Sequence, residues 1–192
     1  MESDWSAEIG PGFPWIDATW SGFLDLRTSP HTIDSLPEPA QHPALRDALL
    51  ALNAPASPLF TSRCDTWILN TDEIDPDEFS ASPQAAVAAF ASYIDILDRA
   101  PGRFTSFALS DQRARELTKR LRQFKINCAR VDAVIRGATV KATESGTIDG
   151  YGITLYVAAC GATQTATYAA WQTALKAAVA ATIAVATIYT GE

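Results

Sequence analysis

Two neighbouring stretches of alternating apolar and polar residues constrain the fold of this chain most. Residues 129–142 alternate with few exceptions, and residues 151–159 alternate again. A period of two is typical of strands that bury one face. Between the two stretches lies a polar segment, Glu144 to Gly150, which ends in Asp149-Gly150, a common turn pair. The sequence therefore predicts an antiparallel hairpin.

Apolar residues at helical spacing predict four helices. Pro43 suits the first turn of a helix over 43–52, and Ser82-Pro83 is a plausible start for a helix over 82–98. Ser110 can cap a helix over 111–124, and a final helix should begin near Thr163.

The end of the chain is left open between two structures. Residues 183–190 fit either the continuation of the last helix or a closing strand, because Val185, Ile188 and Thr190 suit a strand.

The predicted element order completes the fold class. Cys64 to Asn70 favours extended structure, and Gly22 to Leu26 could form a short strand. The order strand, helix, helix, strand, strand, helix is that of the split β-α-β plan of ferredoxin-like domains. We therefore predict one α+β domain over residues 44–192, with a mostly antiparallel sheet and helices packed on one face.

Residues 1–43 are predicted to form an ordered, aromatic-rich N-terminal arm. Three of the five tryptophans, Trp5, Trp15 and Trp20, lie in this segment. Disordered segments are poor in aromatic residues, so we expect the rings to dock onto the domain. An exposed aromatic patch for a partner is the alternative.

Composition indicates an ordinary soluble protein. Of the 192 residues, 47% are hydrophobic and 19% are charged. The acidic start lacks a secretory signal, and Lys176 with several threonines makes 174–189 a better core helix than a membrane span. The widely spaced Cys64, Cys128 and Cys160 are expected to be reduced thiols rather than zinc ligands. We therefore expect a cytoplasmic protein without a cofactor.

Charge is strongly segregated along the chain. Eleven of the fifteen Lys and Arg residues lie between Arg99 and Lys141 with only three acids, whereas residues 1–98 hold sixteen acids and three arginines. Basic residues on the outer faces of the predicted 113–125 helix are the candidate binding residues: Arg113, Arg115, Lys119, Arg120 and Arg122. They could be solvated or paired within the molecule, bind a protein partner, or bind nucleic acid. We favour the first and place nucleic acid last, because no RNP-type aromatic pattern is present.

Two further candidates carry chemistry. Asp72, Asp75 and Asp77 could bind Mg²⁺ or Ca²⁺, but the loop lacks the EF-hand pattern, and we favour the alternative in which these charges stabilise a helix N-terminus. Cys160 lies between a strand and a helix, where a nucleophilic thiol could sit, but His31 and His42 are both far away in the sequence. We expect a buried, inert thiol.

No catalytic signature is recognisable, so the sequence favours a non-enzymatic binding or assembly module that uses a protein partner or self-association. A cysteine-dependent enzyme built around Cys160 and a nucleic-acid-binding protein that uses the 113–125 helix are the alternatives.

Overall fold

The computed structural model describes residues 1–143 and 146–189 of the chain. These residues form an α+β structure around one six-stranded mixed sheet, whose main path runs in the order β1-β5-β6-β4-β3, with β2 also paired to β5. The strands are β1 (Glu2–Glu8), β2 (Ile16–Asp17), β3 (Leu59–Leu69), β4 (Ala88–Asp98), β5 (Ala129–Thr143) and β6 (Gly146–Gly161). The helices are α1 (Pro37–Gln41), α2 (Pro43–Asn53), α3 (Pro101–Phe104), α4 (Phe107–Leu121) and α5 (Gln164–Ile188).

The predicted hairpin is confirmed and is longer than expected. β5 and β6 pair antiparallel from Ala129 opposite Ala159 to Thr143 opposite Gly146. Residues 146–150, which the sequence assigned to the turn, belong to β6, and residues 144–145 lie outside the described part of the chain. The hairpin supplies the two central strands on which the rest of the sheet is assembled.

The prediction of a mostly antiparallel sheet is wrong, and the predicted N-terminal arm is not confirmed. β1 and β2 pair in parallel with the edge of β5 that faces away from β6, so the sheet is mixed. The ferredoxin-like element order is not found. Ser3 and Trp5 of β1 share the apolar face of the sheet with Val131 and Ala133, which explains why this polar segment is ordered. The segment Gly22 to Leu26 is not a strand.

The predicted helix over 82–98 is also wrong. Pro83–Ala85 makes only a short 3-10 turn, and β4 follows it, paired with β3 on one side and β6 on the other. β4 is buried on both faces over most of its length, so its sequence is apolar almost throughout and mimics helical spacing. This correction moves Tyr93 and Asp95 from a helix to the centre of the sheet.

Three long helices cover one face of the sheet. α2, α4 and α5 pack there around Trp171, whose indole N–H donates to Ser92 Oγ of β4 at 2.9 Å. The cap of α5 at Thr163 is as predicted, whereas α4 begins after Ser106 rather than Ser110. α5 continues to Ile188, so a strand over 183–188 is excluded, and Thr190 lies outside the described residues.

α5 is also long and apolar enough to cross a membrane by length and composition. Half of its most apolar window is buried inside the protein, and a core helix of a soluble protein meets the same criterion.

The other face of the sheet is covered only at its two ends. One small cluster, which includes Phe60 and Phe104, covers one end, and a second, which includes Phe79 and Cys160, covers the other. We call the uncovered middle of this side the open face.

Candidate binding surface

Three aromatic rings lie together on the open face. Tyr93 of β4 is directly opposite Tyr156 of β6, and Trp67 of β3 lies diagonally beside Tyr93. The three ring centroids are 6.0–6.5 Å apart. Trp67 is 38% exposed and the two tyrosines are half-buried, so the rings form one platform that solvent can reach.

A buried carboxyl group adjoins this platform. Asp95 is only 7% exposed, and its Oδ1 accepts a hydrogen bond from Thr154 Oγ1 at 2.6 Å. Burial raises the pKa of Asp95, against the opposing effects of the Thr154 hydrogen bond and of the positive charges of Arg136 and Arg63. The centre of the open face therefore holds an acid that is costly to ionise.

Arg136 joins three strands on the same face. Its Nη2 donates to Glu8 Oε2 of β1 at 2.9 Å and to the hydroxyl of Tyr156 at 3.1 Å. The residue is 8% exposed, and its buried Nε has no hydrogen-bond partner among the described residues. This arginine fixes the Tyr156 ring in place.

The open face is acidic. The strand register places six acidic residues on it against the guanidinium groups of Arg130 and Arg136, and the charge of Arg63 on β3 also acts on Asp95 and Tyr93. The carboxylates are those of Glu2, Asp4, Glu8, Asp65, Asp95 and Asp132. Burial and the nearby Asp95 and Asp65 raise the pKa of Tyr93 to about 12, so its hydroxyl keeps its proton at neutral pH.

A cleft opens beside the aromatic platform. It has a volume of about 260 Å³ and is lined by Trp67, Tyr156 and the carboxylates of Glu73, Glu78 and Asp132, with Arg130 at its side. Pockets that enclose small molecules are usually about 300–1,000 Å³. The cleft is therefore of a size for one long side chain or a small cationic group.

The five basic residues predicted for binding do not share one surface. Arg113 is 6% exposed and forms a buried ion pair with Asp98, so it belongs to the core. Lys119 is exposed on α4, as are the side chains of Arg115 and Arg122, each 59% exposed.

Besides Arg113, three of the five basic side chains form ion pairs within the molecule. Arg120 donates to Glu116 at 2.8 Å, and Arg115 donates to Asp111 at 2.9 Å. Arg122 donates to the carbonyl of Ser3 and lies 3.7 Å from Asp4 of β1. Arg115 also lies over the ring of Trp5, with its guanidinium carbon 4.1 Å from the ring centroid. Most of the positive charges on and next to α4 are therefore neutralised by acidic residues of the same molecule.

The acidic loop does not gather its carboxylates into a metal site. Asp75 accepts a hydrogen bond from the backbone N–H of Asp77 and so caps a 3-10 turn, Pro76–Phe79. No three His, Cys, Asp or Glu residues converge within the described ranges in a way that could hold a metal ion. Asp72 lies in a separate 3-10 turn, Thr71–Glu73.

Cys160 is buried rather than exposed at a turn. It is 1% exposed, and burial raises its pKa to about 11, which keeps the thiol protonated at neutral pH. His42, a candidate base for this thiol, packs among aromatic rings, and its Nδ1 lies 3.2 Å from the hydroxyl of Tyr168. Burial lowers the pKa of His42. His31 is exposed in a 3-10 helix, Pro30–Ser35.

A larger concavity of about 620 Å³ lies near Trp20 and Phe60. Its charged groups are mostly paired already. Asp25 is bound by both Nε and Nη2 of Arg27, and Arg99 donates to the backbone carbonyls of residues 53, 54 and 59.

Comparison with protein families, with characterised proteins and with solved structures gave no match for this chain. The functional argument therefore rests on the open face itself. Sequence reasoning missed this surface because Tyr93 and Asp95 were assigned to a helix. The alternation of Thr154 and Tyr156 was visible, but nothing in the sequence paired these residues with β4.

Proposed function

We propose that this protein is a non-enzymatic binding module whose open face receives exposed arginine or lysine side chains of a protein partner. The observation that carries the proposal is the contiguous platform of Trp67, Tyr93 and Tyr156 inside an excess of carboxylates. A cation over an aromatic face gains about 0.5–2 kcal/mol, and the surrounding carboxylates attract it over a longer range.

The cleft beside Trp67 supplies the point of entry. An inserted guanidinium or ammonium group would lie against the Trp67 and Tyr156 rings, with Glu73 as a counter-charge and with Glu78 and Asp132 shared with Arg130, which pairs with both. Arginine is favoured over lysine because its planar group both stacks on rings and binds carboxylates through two hydrogen bonds. The Tyr156 ring is held ready by its hydrogen bond from Arg136.

A short fluorescein-labelled polyarginine peptide tests the proposal by fluorescence anisotropy, with polyglutamate as the charge control. We expect the polyarginine peptide alone to bind, more weakly as salt rises. Trp67→Ala should weaken its binding about ten-fold, as loss of a cation–π contact implies.

Trp15→Ala is the matched control. Trp15 is 46% exposed and donates to Thr139 of β5, about 30 Å along the strand from Arg130 at roughly 3.3 Å per residue. This variant should bind the peptide normally. Equal binding by the Trp67 and Trp15 variants would mean that the peptide senses only net charge, and the proposal would be wrong.

A second copy of the chain is one source of such side chains, because Lys119 is exposed on α4, and Arg115 and Arg122 are exposed although each also forms an ion pair within the molecule. Sedimentation equilibrium at low and high salt identifies it: salt-sensitive oligomers that Trp67→Ala abolishes would make the protein its own partner. Binding of single-stranded DNA without any peptide binding would contradict the proposal and favour the basic helix.

A further inference from the structure

Two of the three cysteines lie beside each other at the end of the sheet: Cys128 directly precedes β5, and Cys160 is in β6. Ala129 of β5 pairs with Ala159 of β6, and one step further the backbone N–H of Cys160 donates to the carbonyl of Cys128 at 2.9 Å. The adjoining ladder pair, Ala129 and Ala159, holds the two backbones about 4.5–5.5 Å apart next to the cysteines. Disulfide-linked cysteines have Cα atoms about 4.4–6.8 Å apart, so no large backbone movement is needed to join these two.

The two side chains also occupy the same small cluster. Cys160 is one of the buried members, together with Phe79 and Ala89, and Cys128 packs against it. The neighbouring Cys128 thiol adds to the effect of burial in raising the pKa of Cys160. Side chains that interact in this way already share the space that a disulfide would fill.

The two thiols differ in their exposure to solvent, which sets the order in which they react. Cys128 is half-buried, whereas Cys160 is buried, so an oxidant reaches Cys128 first. Cys128 also has φ of 58°, the left-handed region in which residues other than glycine are uncommon.

We propose that Cys128 and Cys160 form a reversible intramolecular disulfide with a low-molecular-weight disulfide, such as oxidised glutathione, as the oxidant. The Cys128 thiolate attacks one glutathione sulfur, and the S–S bond breaks to release the first glutathione thiolate. The Cys160 sulfur, after losing its proton, then attacks the Cys128 sulfur and expels the second glutathione. Two protein thiols are oxidised, one glutathione disulfide is reduced, and the two thiol protons pass to the two glutathione products.

The third cysteine, Cys64, lies apart from this pair and is removed for the experiment. It lies in β3 opposite Ile94, and burial raises its pKa to about 12. The Cys64→Ser variant therefore contains only the pair of interest. This disulfide is independent of the proposed binding function and can be tested without any partner.

The experiment equilibrates the Cys64→Ser variant in glutathione buffers of increasing oxidised fraction, followed by acid quenching, alkylation and mass spectrometry. We expect both thiols to be lost together, with a mass decrease of about two hydrogens. Trypsin should release the peptide 126–130 cross-linked to the peptide 142–176, and a thiol reductant should separate them. Cys128→Ser and Cys160→Ala, each on this background, should yield no intramolecular link.

Persistence of both thiols in fully oxidised glutathione would overturn the proposal. So would a product in which Cys128 carries glutathione and Cys160 stays free, or a cross-link between two molecules. Unfolding in urea before oxidation provides a positive control, because the flexible chain can then bring the two thiols together.

Discussion

Arg113 provides a sharp test of how the fold uses its basic helix. The residue is 6% exposed and pairs with Asp98, which is 8% exposed and also accepts from Arg103 Nε at 2.8 Å. Removing one member of a buried ion pair costs about 3–5 kcal/mol, because the remaining charge stays buried. Arg103 still neutralises Asp98 in part, so we expect Arg113→Met to lower the free energy of unfolding by about 3 kcal/mol.

Urea unfolding monitored by circular dichroism measures this loss, and Lys119→Met on the same helix is the control. Lys119 is exposed, so its substitution should change the free energy of unfolding by less than about 0.5 kcal/mol. Adding Asp98→Leu to Arg113→Met should recover part of the loss, because no charge of this pair then remains buried. Equal stability of the two single variants would refute the assignment of Arg113 to the core.

Three further predictions concern the sheet. Because burial raises the pKa of Asp95, the folded state keeps this proton to higher pH than the unfolded chain, and stability is lost as the pH rises above about 4. Asp95→Asn should therefore raise the melting temperature at pH 7 more than at pH 4, whereas Asp65→Asn, at an exposed position, should not. Asn53→Ala should cost about 2–4 kcal/mol in urea unfolding, because three buried hydrogen bonds are lost and the backbone N–H of Thr61 loses its acceptor. Deleting residues 1–17 should lower stability by several kcal/mol and cause association in size-exclusion chromatography, because it uncovers the edge of β5; an unchanged monomer would argue against the pairing of β1.

The elements that were predictable are those whose pattern is local. The hairpin strands alternate because each has one face toward the helices, and Thr163 caps α5 through its own side chain, which accepts from the backbone N–H of Ala166. The helix over 43–52 has leucines at spacings that place them on one face. These signals need no knowledge of distant residues.

The errors arose where tertiary contacts decide the structure. β4 is apolar on both sides because it lies between β3 and β6, and a short apolar run of this kind also fits a helix. β1 is polar at alternate positions, and its pairing with β5 joins residues more than a hundred positions apart. The residues near β1 in the sequence carry no pattern that predicts a parallel edge strand.

Arg113 illustrates the same limit within one helix. In the sequence of the predicted helix, Ala114, Leu117, Leu121 and Phe124 repeat at helical spacing, and this narrow apolar stripe leaves Arg113 on an outer face. In the structure the buried stripe is wider and includes Ser110 and Arg113, because Asp98 at the end of β4 supplies a partner. A charged residue can be a core residue when a distant strand neutralises it, and only the fold reveals that strand.

The charge segregation of the sequence now has a structural explanation that bears on binding. Acids from the first half of the chain pair with bases from the middle at several points: Asp4 with Arg122, Glu8 with Arg136, Glu78 with Arg130, and Asp98 with Arg103 and Arg113. Much of the asymmetry is therefore satisfied inside the molecule. On the open face the acids still outnumber the bases, and they surround aromatic rings that no helix of the described ranges covers. A surface that keeps this excess after folding is the one on which a basic partner gains most, so the peptide experiment should begin there.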